Sequence, residues 1–186
     1  MSELFVNKIQ SHTDANNHIQ VASGHVLYAP GHVVQTVFGP EFHTEVSTTS
    51  TSFVVVSSSL AASITPKSTS SKIIVTCTIP NLMLWRSGAN DARVQLGISS
   101  DNGSTFIRET NNRIYDYGGS GIQMHYTANI TAIHSPSSIS QQTYNLYWHV
   151  DAGNARINDD QGSGNEGVSG TAGACFTQFI LQEIAQ

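Results

Sequence analysis

Charge is scarce in this sequence: Asp, Glu, Lys and Arg make up 11% of 186 residues, and the eight Lys and Arg are scattered. A nucleic-acid binder gathers its cations on one face, so this dispersion and a net charge of -5 argue against that class. Long apolar runs are also missing, and nothing approaches the roughly 20 residues that a membrane-spanning helix needs. The opening MSELFVNKIQ has no basic segment followed by an apolar core. No secretory leader or membrane insertion is therefore expected, and the chain is expected to be made in a cytoplasm and to stay soluble. Cysteine is limited to Cys77 and Cys175, far apart and without His at ligand spacing. Both read as small buried hydrophobes, with a disulfide or metal site as the alternative.

What is present is a strand-forming composition rich in Ser, Thr, Val, Ile, Asn and Gly. The stretch LAASITPKSTSSKIIVTCTI organises the chain. Leu60, Ala62 and Ile64 alternate, Pro66 breaks the pattern, and Ile73, Val75, Cys77 and Ile79 alternate again beyond a Ser/Thr bend. HVVQTVF and the run Phe53 to Val56 read as strands, and PNLMLWRSGAND reads as a loop carrying Trp85. Ala92 to Ile98 alternates into Asp101-Asn102-Gly103, a strong hairpin signal. Ile122 to Ala132 and Tyr144 to Val150 are two further amphipathic strands, and GACFTQFILQEIA is the last. About eight strands and no convincing helix predict an all-β, jelly-roll-like β-sandwich. Residues 1–35 read as an N-terminal docking or anchoring segment, ordered by contact with copies of itself or with another protein, or else as a floppy tail. Residues 36–186 read as the sandwich domain.

Catalytic signals are weak, and no enzyme activity is expected. No Gly-x-Ser-x-Gly elbow joins a strand to a helix. Asp151, Asp159, Asp160 and Glu166 lie in or beside a Gly-rich loop, where solvated acids are usual. Asp101, Asn102 and Ser104 suggest a calcium loop, but Asn112 stands at the closing acidic position. No cofactor and no metal are expected.

Three sets of residues are candidates for recognition. Trp85 and Arg86 on one loop, with Arg113, Tyr115 and Tyr117 on another, are residue types enriched in binding hot spots. Trp85 could equally plug the end of the core. Gln123, His125, Asn145, Tyr147 and His149 would form one outer patch if their strands pair as a hairpin. That patch could be a glycan- or protein-recognition surface, a polar subunit contact or an ordinary solvent face. On the last strand Phe176, Ile180 and Ile184 fall on one side, and Phe179 and Leu181 on the other. A strand apolar on both sides needs cover on both, so Phe179 and Leu181 are expected at a subunit interface.

The pieces VNKIQ, APGHVVQ, SITPKSTSSKI, YNLYWHV and FILQEIA resemble those of small fibre-like virion structural proteins of tailed phages, the tail-fibre type common in marine and cyanobacterial phages. The likeness spans nearly the whole chain and is least specific from Trp85 to Gly121. It implies a β-sandwich that assembles as a homotrimer in the virion after synthesis in the host bacterial cytoplasm. It also implies docking on another virion protein through residues 1–35, with the sandwich displayed for attachment to a host surface glycan or protein. Two other functions stay open: a capsid decoration (cement) protein that stabilises the head, and a glycan-binding or glycan-cleaving domain.

Overall fold

A computed structural model describes residues 29–87, 91–115, 121–158 and 175–186. The described residues form eleven strands: β1 (Val33–Phe38), β2 (Val46–Thr48), β3 (Val54–Val55), β4 (Ala62–Ile64), β5 (Lys72–Ser87), β6 (Asp91–Ser99), β7 (Arg108–Tyr115), β8 (Gly121–His134), β9 (Gln142–Ala152), β10 (Asn154–Ile157) and β11 (Gln178–Ile184). Every pairing is antiparallel, and the pairs are nested: β1 with β11, β3 and β4 with β9, β5 with β8, and β6 with β7. Successive pairs alternate between two sheets. One sheet runs β1-β11-β5-β8, with β10 and β2 beside the far half of β5; the other runs β3/β4-β9-β6-β7. A two-stranded ribbon rolled up in this way is a jelly roll, so the all-β sandwich is the fold observed.

The first sheet is built on β5. Ile73, Val75, Cys77 and Ile79 point inward and are fully buried, while Lys72, Ile74, Thr76 and Thr78 face out. Burial pushes the Cys77 thiol far above its ordinary range. Pro80 offers no N–H to the ladder, and the register with β8 shifts between Ile79 and Leu82. Leu82 and Leu84 then resume the inner row, so the expected loop from Pro80 onward is strand as far as Ser87. The bulge absorbs the proline because β8 supplies partners on both sides of it. Two short strands lie end to end along the other edge of β5: β11 beside Lys72 to Thr78, and β10 beside Leu82 to Trp85.

The same register overturns two expectations. Phe179 and Leu181 pair with Cys77 and Val75, the inward side of β5, and are fully buried within the chain, so they are not available to a neighbouring subunit. The face left outside carries Ile180 and Ile184, half-buried, with Phe38 beside Ile180 on β1. The strands expected to pair as a hairpin, β8 and β9, lie in different sheets: β8 pairs with β5, and β9 with β6. The segment between them crosses from sheet to sheet, which divides the expected outer patch. The Asn102-Gly103 turn does join β6 to β7, with φ of 59° and 83° at its two residues. Of the segment expected to anchor the chain, residues 33–35 belong to β1, which begins at Val33; residues 1–28 lie outside the described residues.

The core fills the space between the sheets. Trp148, Tyr144, Phe179, Leu60, Ile64 and Leu96 are among its largest fully buried side chains. Each contributes about 1.5–3 kcal/mol through removal of apolar surface from water.

Candidate functional site

At the end of the sandwich where β1 begins, one carboxylate ties three chain segments together. Gln35 Nε2 donates to Glu183 Oε2 at 2.6 Å and to the Thr65 carbonyl at 2.8 Å. The Lys67 N–H donates to Glu183 Oε1 at 2.7 Å. Glu183 is fully buried, and Gly31 and His32 close the arrangement by bonding the Ala185 backbone. Gly31 holds a φ of 81°, which suits glycine. These residues belong to APGHVVQ, SITPKSTSSKI and LQEIA, so the most specific pieces of the family resemblance converge on a scaffold knot. Nothing in the sequence marks Glu183, whose role emerges only when three distant segments meet.

At the other end, β5 finishes and β6 begins. The Asp91 carboxylate accepts from Arg86 Nη1 at 3.2 Å, Arg93 Nη2 at 3.3 Å and Arg113 Nη2 at 2.9 Å. Arg93 Nη1 reaches Asp151 Oδ2 at 3.2 Å. Arg93 and Arg113 are direct cross-strand partners, an unfavourable like-charge pair that the two carboxylates offset. Arg113 also lies 5.4 Å from the centre of the Tyr115 ring. Arg86, Arg113 and Tyr115 are thus brought into one cluster, but from strands rather than loops. Tyr117 lies outside the described residues.

Trp85 belongs to a different surface, the outer face of β5 near the same end. Its direct neighbours are Asn154 on β10 and Gln123 on β8. Met83, two residues earlier, lies between Arg156 and His125 in the same way. The indole is 44% exposed, so it neither plugs the core nor rides on a loop. Met83, Trp85, Gln123 and Arg156 line a depression of about 180 Å³. Its walls are held by side-chain bonds: the Gln123 amide and His125 Nε2 at 3.2 Å, His125 Nδ1 and Asn81 Oδ1 at 3.0 Å, and Arg156 Nη1 donating to Glu45 Oε1 at 3.4 Å. Asn154 Oδ1 is buried and has no hydrogen-bond partner among the described residues.

Asn145, Tyr147 and His149 lie on the second sheet. There His149 Nε2 and Gln95 Oε1 are 2.6 Å apart, and the Phe53 ring stands 4.6 Å from the imidazole. Phe106 packs on Phe53 at 4.2 Å and on Tyr147 at 5.6 Å. Gly97 leaves room for that ring, since a Cβ there would meet Phe106 at 2.6 Å. This outward face is a small aromatic annex to the core. Gln123 and His125 therefore join Trp85, and the other three residues of the expected patch do not.

Among the described residues, no three or more His, Cys, Asp or Glu side chains gather as a metal would need. No helix among them is long and apolar enough to cross a membrane. Asp159, Asp160 and Glu166 lie outside the described residues.

The fold class is that of a two-sheet jelly roll. No family model matches the chain, and no curated protein matches it. Among solved structures, it is similar to the tripod (BppUct-A-L) from the baseplate of bacteriophage Tuc2009, at 13% identity over 97% of this chain and 84% of that one, with a TM-score of 0.28. A second likeness is to infectious bursal disease virus, Gx strain, at 9% identity over 95% of this chain and 46% of that one, with a TM-score of 0.29. Likenesses this distant carry no weight in assigning a function.

Proposed function

We propose that this protein is a non-enzymatic virion structural component: a homotrimeric tail-fibre or appendage module, anchored through its N-terminal segment and displaying the sandwich for host attachment. The observation that carries this reading is the polarity of β5. Residues 29–32 and the Glu183 knot lie at the Lys72 end, whereas Trp85 and the Asp91 arginine cluster lie at the Ser87 end. Trp85 is thirteen residues beyond Lys72 along the strand, a span of roughly 40 Å at about 3.3 Å per residue. A module held at one end and reading a surface with the other needs this arrangement, and the family resemblance supports the same orientation. Self-association is assigned to the outer face of the first sheet, where Phe38 and Ile133 are 66% and 64% exposed, with Ile74 and Ile180 between them.

The test is localisation of the tagged chain on intact virions together with its copy number. Few copies at the tail, with adsorption lost when the protein is removed, are expected. Many copies over the head, with a head that weakens without them, would replace attachment by decoration. The double substitution Phe38→Ser and Ile133→Ser should convert trimer to monomer in light scattering, and an unchanged assembly would remove that contact.

A further inference from the structure

We propose that the Trp85 platform is a binding site for a neutral hexopyranose unit of a surface polysaccharide. The inference rests on the attachment reading and names its ligand. A sugar ring has an apolar C–H face that suits a flat aromatic surface, and hydroxyls at its edge that need amide-like donors and acceptors. Trp85 offers the flat surface, and its direct cross-strand neighbours on both sides are carboxamides, Asn154 and Gln123. Neighbouring strands lie about 4.8 Å apart, so one ring resting on the indole brings its hydroxyls over both amides. Met83 lies buried at the bottom of the depression, and Arg156 and His125 stand beside it as further polar groups. The depression, about 180 Å³, is smaller than the pockets that enclose drug-sized ligands, and its apolar base and few polar groups would seat one face of a single sugar ring.

Charge selects the class. Arg156 is ion-paired with Glu45 and the His125 imidazole is hydrogen-bonded to the Asn81 amide, so the polar groups of the platform already have partners and the arginine charge that would draw an acidic sugar is matched. The arginines that could do so, at Asp91, belong to the neighbouring cluster and are already engaged by carboxylates. The other tryptophan, Trp148, is 1% exposed in the core, so only Trp85 can report on a ligand at the surface.

The full-length protein is titrated with methyl glycosides of glucose, galactose, mannose and N-acetylglucosamine at millimolar concentration. Tryptophan emission and saturation transfer from protein to sugar protons are followed. At least one glycoside should shift the emission to shorter wavelength and show transfer to its ring C–H protons. Trp85→Ala should abolish both signals, Trp85→Phe should keep transfer while removing the emission change, and Gln123→Ala should weaken binding about tenfold. Near-ultraviolet circular dichroism from Trp148 verifies that each variant is folded. No response to any of the four sugars, or a response that survives in Trp85→Ala, overturns the site. A change of oligomeric mass in Trp85→Ala also overturns it, because the face would then be a subunit contact. Failure of the parent reading looks different: sugar binding would persist in the isolated protein while virions carrying Trp85→Ala adsorb as well as the parent.

Discussion

The two ends of β5 use polar groups in opposite ways. Around Glu183 the carboxylate is sealed from water and each oxygen has a donor from a different segment, so the bonds staple the fold. Around Asp91 and Trp85 the groups are half exposed, bonded mainly to one another, and arranged on strand ends whose backbone pairing does not depend on them. Buried polar networks are costly to break and exposed ones are cheap to change. Stability is therefore concentrated at the Lys72 end of β5 and freedom to vary at the Ser87 end, a division that suits the proposed attachment role.

The largest effect is expected in the core that links the two ends. Phe179→Ala should cost about 3–5 kcal/mol in chemical denaturation. The loss should be the same at low and high protein concentration, because Phe179 is enclosed by its own chain; a loss that vanishes on dilution would return it to an interface. Next, Glu183→Ala should cost about 3 kcal/mol, since the Gln35 amide and the Lys67 N–H lose their buried acceptor. Hydrogen exchange should rise in β1 and in the segment before β5, while β6 and β7 stay protected. Asp91→Ala should cost only about 1 kcal/mol, because the arginines it neutralises are partly exposed. A cost as large as that at Glu183 would erase the proposed contrast between the ends.

The smallest effect concerns acid. Hydrogen bonds from the Thr105 hydroxyl and N–H, and from Ser99, hold the Asp101 carboxyl down at about 2. Its folded value lies below its unfolded value of 3.8, so its contribution is complete above that pH and is lost as pH falls toward about 2. His134, bonded to the Tyr144 hydroxyl at 2.9 Å, is shifted the same way: burial lowers its pKa, with Asp101 opposing. It therefore favours folding fully above its ordinary 6.5 and less as pH falls below that. Thermal unfolding should begin to weaken below pH 6.5 and decline further below pH 4, and His134→Gln should remove the first step only.

Much of the fold is legible in the sequence because it is written in local alternation. Ile73 to Ile79, Tyr144 to Val150 and Ala92 to Ile98 each announce a strand with one buried face, and Asn102-Gly103 announces its hairpin. The candidate residues are legible only as types. Trp85, Arg86, Arg113, Gln123 and His125 stand out singly, but sequence alone groups them wrongly because Pro80 and Asn81 look like a loop and because strands adjacent in sequence need not be adjacent in space. Alternation also cannot say which face of an all-apolar strand is inward, and so it leaves Phe179 and Leu181 facing a neighbouring subunit where the opposite sheet of the same chain covers them.

A β-rich chain with low charge, strands of known position and one certain hairpin follow from local sequence, because those depend on neighbours a few residues apart. The tertiary structure decided that β8 and β9 part company, that Glu183 joins Gln35 to Lys67, and that Trp85 lies between Asn154 and Gln123. Each of those contacts spans dozens of residues, and its partner is selected by how the ribbon rolls up around a shared core, a choice that no short window of sequence contains.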